Sequence, residues 1–248
     1  MEAETPISDP PKRRWFRFSL RTMLVAVTFF CIWLGITASR ANRQRAAVET
    51  IKRHHGYVRY DYEADDDSNS IRSPTTTPGP EWLRSLIGLD YFDSAVQVDI
   101  DGRNGAIDDA ITVFANLPHL KNLRLRGPGI TDSVMAKIGK LTELRVLQIW
   151  QSSVTDAGCE NLGTLTQLKL LELYSDRLIG DAGLTHIQSL SRLEILWLNE
   201  SGGITDGALQ YLKNLTNLKS LNPDKTRITI GGLEQLKRDL PDLQYYPP

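Results

Sequence analysis

The chain has 248 residues, of which 41% are hydrophobic, with 29 Lys+Arg set against 30 Asp+Glu for a net charge of -1. These values argue against wholesale disorder, a collagen-like chain and a multi-pass membrane protein, and leave ample length for a sizeable core in one or two domains. The near-neutral total gives no reason to expect a polyanion partner for the whole chain, yet basic residues crowd the first 53 positions and an acidic run follows them.

The first predicted element is a membrane anchor. Residues 23–38 (MLVAVTFFCIWLGITA) form sixteen positions without a charge, and Leu20 with Arg21 extends the stretch to about nineteen. The uncharged part spans ~24 Å as a helix, enough for a ~30 Å hydrocarbon core only if Arg21 and Arg40 snorkel to the two interfaces. Lys12, Arg13, Arg14, Arg17 and Arg21 precede it and Arg40, Arg43 and Arg45 follow, a bias that predicts a cytoplasmic N-terminus and a C-terminal part outside the cytoplasm. A cleaved signal peptide is the competing reading, but Ser39-Arg40-Ala41 is a poor small-residue cleavage site. The basic segment abuts the apolar run and suits anionic headgroups; a nucleic-acid partner is not expected.

Residues 39–54 are polar, with Ala41, Val48 and Ile51 at mixed helical spacing, and read as a surface or stalk helix that Gly56 ends. Residues 57–62 (YVRYDY) alternate weakly like a strand, and Glu63, Asp65, Asp66 and Asp67 read as a solvated acidic loop that lacks a calcium-loop pattern. Residues 73–80 (SPTTTPGP) are a linker by composition. The expected organisation is therefore a basic cytoplasmic segment (1–19), a transmembrane signal anchor (20–38), a juxtamembrane helix and linker (39–80), and a repeat domain (81–248) with residues 81–89 (EWLRSLIGL) as its N-terminal capping helix.

Self-similarity is the strongest signal. The pattern L-x-x-L-x-L starts at Leu120, Leu144, Leu168, Leu193 and Leu218, at separations of 24, 24, 25 and 25 residues, and a degenerate copy starts at Ala95. Each unit continues with Ile130-Thr131-Asp132, Val154-Thr155-Asp156, Ile179-Gly180-Asp181, Ile204-Thr205-Asp206 or Ile228-Thr229-Ile230. Thr and Asp there are expected to cap the helix that follows, whose inward face carries pairs such as Cys159 and Leu162, Leu184 and Ile187, and Leu209 and Leu212. Cys159 stands where its neighbours have Leu, so it reads as a buried small hydrophobe rather than a nucleophile. In the last copy Pro223 takes an apolar position, which predicts that this strand ends the sheet.

The spacing, the leucines and the Thr-Asp pairs together resemble the leucine-rich repeat family, specifically the ITDxGLxxL type found in ribonuclease-inhibitor-like and F-box-associated proteins. The N-terminal part (RFSLRTMLVAVTFF, then PGPEWLRSLIGLDYF) is similar to membrane-anchored leucine-rich repeat proteins of planctomycete bacteria. The resemblance implies an α/β solenoid, with parallel strands on a concave face and helices on a convex one.

In such a solenoid the strand residues between the leucines face the concave side. In register, the third positions are Gln97, Asn122, Val146, Leu170, Ile195 and Ser220; the fifth are Asp99, Arg124, Gln148, Glu172, Trp197 and Asn222; the seventh are Asp101, Arg126, Trp150, Tyr174, Asn199 and Asp224. Stacking should bring Val146, Leu170, Ile195, Trp150, Tyr174 and Trp197 together, with Arg124, Arg126, Gln148, Glu172 and Asn199 around them. An apolar centre edged by Trp, Tyr and Arg has the composition of a protein-binding surface.

Catalysis finds little support. The two cysteines, Cys31 and Cys159, make no CxxC pair, the four histidines are scattered, and no nucleophile–base set or phosphate-cradling glycine loop is present. The Asp column could bind cations only if its carboxylates were not already used as caps. No metal or cofactor is expected. The sequence predicts a non-enzymatic, membrane-anchored protein that binds a protein partner, with a self-associating envelope component as the first alternative and an envelope hydrolase as a weaker one.

Overall fold

The computed structural model describes residues 20–63, 77–102, 107–175 and 177–246. The basic residues 12–17, the acidic cluster 65–67 and the start of the linker at 73–76 lie outside the described residues. The chain divides into two compact units, Met1–Ser39 and Arg40–Pro248.

In the first unit the described residues belong to helix α1 (Leu20–Arg53), which is long and apolar enough to cross a membrane by length and composition. The large side chains from Leu20 to Ile36 are exposed. Thr28 and Thr37 donate their hydroxyls back to the carbonyls of Leu24 and Trp33, so neither polar group needs water.

The second unit is built on one eight-stranded sheet whose strands follow chain order. They are β1 (Tyr57–Tyr60), β2 (Ala95–Asp101), β3 (Asn122–Arg126), β4 (Val146–Trp150), β5 (Leu170–Tyr174), β6 (Ile195–Trp197), β7 (Ser220–Asn222) and β8 (Gln244–Tyr245). β1 runs antiparallel to β2 and every later pair is parallel. After β2 each strand is followed by a short helical element on the opposite side: α3 (Asp108–Thr112), α4 (Asp132–Ile138), α5 (Asp156–Cys159), α6 (Asp181–Leu184), α7 (Leu209–Leu212) and α8 (Ile230–Asp239). Several of these are single turns that tighten into or follow 3₁₀ helix, as suits a period of 24–25 residues that leaves little chain per crossover.

The repeated leucines account for the core. Leu123 and Leu125, Leu147 and Ile149, Leu171 and Leu173 alternate inward along their strands and are completely buried or nearly so. The helical partners Leu162, Leu184, Ile187 and Leu212 meet them from the convex side, and Cys159 fills a Leu position with no exposed surface.

Segments outside the repeats close the ends of the solenoid. Ala41, Gln44, Ala47, Val48 and Ile51 of α1 are buried at the first repeat, and β1 adds a strand to the edge of β2. Helix α2 (Glu81–Ile87), which the sequence suggested as the cap, has no buried residue. Trp82 and Leu86 point outward and Leu83 and Ile87 are half-buried, and the stripe at 41, 44, 47, 48 and 51 covers the core edge. At the other end β7 is not the last strand. Pro223 falls one residue beyond it, so its missing N–H is not needed in the ladder, and β8 pairs along β7 from the other side.

The Thr-Asp residues divide their work differently from the expected caps. Thr155 Oγ1 accepts from Ala157 N–H, Thr205 Oγ1 from Gly207 N–H and Thr229 Oγ1 from Gly232 N–H, so threonine is the cap in these three repeats, while Thr131 makes no such bond. Each aspartate instead reaches the next repeat: Asp132 accepts from Thr155 N–H (2.8 Å) and hydroxyl (2.7 Å), and Asp206 from Thr229 N–H (2.8 Å) and hydroxyl (2.7 Å). Asp181 treats Thr205 in the same way. The aspartates therefore join neighbouring repeats at the start of the helices, beside isolated backbone bridges such as Gly180 to Gly203 and Thr205 to Arg227.

Candidate binding face

Strand pairing sets the three outward columns in the expected register. Val146, Leu170 and Ile195 lie opposite one another on adjacent strands, as do Gln148, Glu172 and Trp197, and Trp150 opposes Tyr174. Arg124 and Arg126 oppose Gln148 and Trp150. Asn199 lies beyond β6, which ends at Trp197, and its carbonyl accepts from Ser175 N–H at 2.8 Å.

The surface these residues make is less open than composition suggests. Val146, Leu170, Ile195, Trp150, Tyr174 and Trp197 are all half-buried in their own stack. The fifth-position column is a continuous polar chain across the strands. Gln97 Nε2 donates to Asp99 Oδ1 at 3.1 Å, Asp99 pairs with the Arg124 guanidinium at 3.6 Å, and Arg124 Nε donates to Gln148 Oε1. Gln148 Nε2 then donates to Glu172 Oε2 at 2.6 Å. Gln148 and Glu172 are only 5% and 7% exposed, so the chain holds two strong polar groups in a shielded position. It stops at Trp197, beside Glu172. The indole N–H groups of Trp197 and Trp150 are buried without a hydrogen-bond acceptor.

The seventh column is tied to the loop that follows each strand. The Arg126 guanidinium lies over the Trp150 ring, 5.9 Å from its centroid, and Arg126 Nε donates to Gln151 Oε1 at 3.2 Å. Tyr174 O–H donates to Glu200 Oε1 at 3.1 Å, and Lys225 Nζ reaches the same oxygen at 2.7 Å. The hydrogen bond from Lys225, with that from Tyr174, holds the Glu200 carboxyl below its usual range, and Glu200 in turn raises Lys225.

Gln151, Glu200 and Lys225 were not among the sequence candidates. With Gly127 and Ser175 they form a column in the left-handed region, at φ of 116° for Gly127 and 55–61° for the others. The N–H groups of Gly127, Gln151, Ser175 and Glu200 continue the ladder past the strand ends, as Gln151 N–H does to Tyr174 carbonyl at 2.8 Å. The 24- to 25-residue spacing was visible, but only Gly127 is a residue type that signals positive φ.

Chemically the face offers aromatic edges around a fixed polar chain. Its carboxylates do not converge: Asp99 and Glu172 stand three strands apart, ~14 Å at the usual strand spacing, beyond the ~5–9.5 Å of carboxylate pairs that cleave glycosides. Among the described residues no group of three or more His, Cys, Asp or Glu is placed to hold a metal ion.

Comparison with known proteins follows the same lines. The family model described as leucine-rich repeat region matches residues 84–241, more than half of the chain. No curated protein matches it. An internalin (inlF) structure from Listeria monocytogenes is similar, with 27% identity over 54% of this chain and 36% of that one and a TM-score of 0.45. A Bacteroides fragilis protein structure shares 19% identity over 55% of this chain and 51% of that one, with a TM-score of 0.37. The chain thus spans about a third to a half of the lengths of these two structures. Leucine-rich repeat domains are generally protein-binding scaffolds and usually non-catalytic, and their concave sheet is the surface they offer. The repeats, the parallel sheet and the match over residues 84–241 lead to one conclusion: the chain belongs to the leucine-rich repeat family.

Proposed function

We propose that the chain is a non-enzymatic, membrane-anchored leucine-rich repeat protein of the ITDxGLxxL type, similar to those of planctomycete bacteria, which offers its concave face to a protein partner outside the cytoplasm. Residues 20–38 act as an uncleaved signal anchor, and the basic residues ahead of them keep the N-terminus in the cytoplasm. The exposed apolar surface of the helix supports the anchor, because water would not tolerate so many large apolar side chains in one stretch.

The observation that carries the binding reading is the arrangement around Glu172. A polar chain from Arg124 through Gln148 to Glu172 is held rigid, and Trp150, Tyr174 and Trp197 stand on either side of it. Pre-organised aromatic side chains lose little entropy on binding.

The experiment is crosslinking capture from the native membrane with the full chain as bait, wild type against Trp150→Ala/Trp197→Ala. Retention of the same protein by wild type and its loss in the double variant is the expected result. Equal capture by both would exclude the face. A self-associating component would show itself as a dimer in sedimentation of the detergent-solubilised chain, dissociated by the same substitutions.

A further inference from the structure

Helix α2 presents Trp82 and Leu86 to the outside, while its Leu83 and Ile87 are half-buried. Trp82 is 69% exposed and Leu86 74%, and as residues i and i+4 they share one face of the helix. Exposed large apolar residues are common singly, but a tryptophan and a leucine paired on one short helix call for a partner. The opposite side of this segment is firmly held. Gln44 Nε2 donates to Asp90 Oδ1 at 3.0 Å and to the Asp93 carbonyl at 2.9 Å, and Tyr60 O–H donates to Asp90 Oδ1 at 2.9 Å. Arg45 donates to the Ile87 carbonyl and pairs with Asp90 at 3.7 Å. Gly88, at φ 91°, gives the Arg45 guanidinium room against the backbone, where any Cβ would collide with it.

We propose that the Trp82–Leu86 face of α2 rests in the interface of the bilayer that holds the anchor, so that the occupant of this surface is lipid. The proposal depends on the reading of residues 20–38 as a membrane-spanning segment. Arg45, which grips the end of α2, follows Ala38 by seven residues of helix α1, a rise of ~10 Å. The point where Arg45 grips α2 thus lies only ~10 Å along the helix from the end of the apolar run, close to the headgroup layer. The chemistry of the face fits the location. Trp82 supplies an amphipathic ring of the kind enriched at membrane interfaces, Leu86 supplies an acyl-seeking side chain, and the exposed Arg40 brings positive charge for anionic headgroups to the same short stretch. A second contact with the membrane would restrict the swing of the repeat unit about its anchor, and so fix which way the binding face looks.

The test uses the full chain in vesicles of phosphatidylcholine with phosphatidylglycerol. In a Cys31→Ser background, Cys159 is fully buried, so a spin label goes to Leu86→Cys or, as a comparator on an exposed apolar residue in a distant repeat, to Leu178→Cys. The collision ratio of oxygen to a water-soluble nickel chelate should be about threefold or more higher at position 86 than at 178, because oxygen partitions into the bilayer and the chelate does not. Equal ratios at the two positions in protein that resists carbonate extraction would overturn the proposal and leave the anchor standing. A label at 86 shielded from both reagents would place α2 under protein rather than lipid, and overturn it too. Release of the protein by carbonate would remove both readings together. Circular dichroism of each variant checks that the repeats remain folded.

Discussion

The Oδ1 atom of Asp156 occupies the space a side chain on Gly183 would need: a Cβ there would lie 2.6 Å from it. The same oxygen accepts from the N–H of Gly183 at 2.9 Å and from that of Gly180 at 2.7 Å. Helix α6 begins after Gly180, which has no side chain to cap it, and the carboxylate of the preceding repeat takes over the task. The relation recurs along the solenoid. A Cβ on Gly158 would meet Asp132 and one on Gly232 would meet Asp206, whereas the repeat between carries the buried Ala208 at the equivalent position. The Asp and the Gly of the ITDxGL motif thus belong to each other across repeats.

A double-mutant cycle at this pair has a definite expectation. Gly183→Ala should cost about 2 kcal/mol through overpacking against Asp156, Cys159 and Ile179. Asp156→Ala should cost about 2–3 kcal/mol by leaving two amides without their acceptor. The double variant should lose about 1 kcal/mol less than the sum, because the alanine then has room. Denaturant unfolding measures all three, and simple additivity would contradict the account.

This pairing shows where sequence reading stops. The period, the inward leucines and the register of Val146, Leu170 and Ile195 were legible because stacked strands at constant spacing leave one solution. The direction of the aspartates was not, since a Thr-Asp pair before a helix is equally consistent with capping its own turn. The solenoid's N-terminal cover was also hidden. Its stripe contains Ala41, Gln44 and Ala47, which carry little hydrophobic signal, and Gln44 is buried only because Asp90, the Asp93 carbonyl and Ala95 N–H satisfy it. On the face the strand register of Trp150, Tyr174 and Trp197 was legible, but not the burial of Gln148 and Glu172 into one hydrogen-bonded chain.

That chain gives a second prediction. Gln148→Leu removes the donor from a shielded Glu172 and the acceptor from Arg124, and should cost about 2 kcal/mol. Gln148→Leu/Glu172→Leu takes away both buried polar groups and should return to within about 1 kcal/mol of wild type. Thermal or denaturant melts distinguish this from independent losses, which would leave the double variant worse than either single.

At the rim the expectation concerns titration. Glu200 is held below the ordinary 4.5, first by the Lys225 hydrogen bond and then by Tyr174, so Lys225→Met should raise its midpoint toward 4.5 and Tyr174→Phe should do so to a smaller degree. Carboxyl chemical shifts followed by NMR through acid titration read this directly. The sign for stability follows. With Glu200 lowered, its contribution is complete above the ordinary glutamate value and is lost as the pH falls through the lowered one; with Lys225 raised, its contribution is lost as the pH rises through the raised value. No movement of the Glu200 midpoint in Lys225→Met would contradict the pairing.

The central claim is that the concave face around Glu172 binds a protein. Trp150 and Trp197 are half-buried, so replacing either with Ala should cost about 1–2 kcal/mol, less than the ~3–5 kcal/mol of a fully buried Trp, and leave the repeats folded. The most direct measurement is the dissociation constant of the captured partner for the full chain in detergent, wild type against each Trp variant at a temperature where all are folded. The account predicts at least about tenfold weaker binding, ~1.4 kcal/mol, for each variant. Unchanged affinity in both would contradict it.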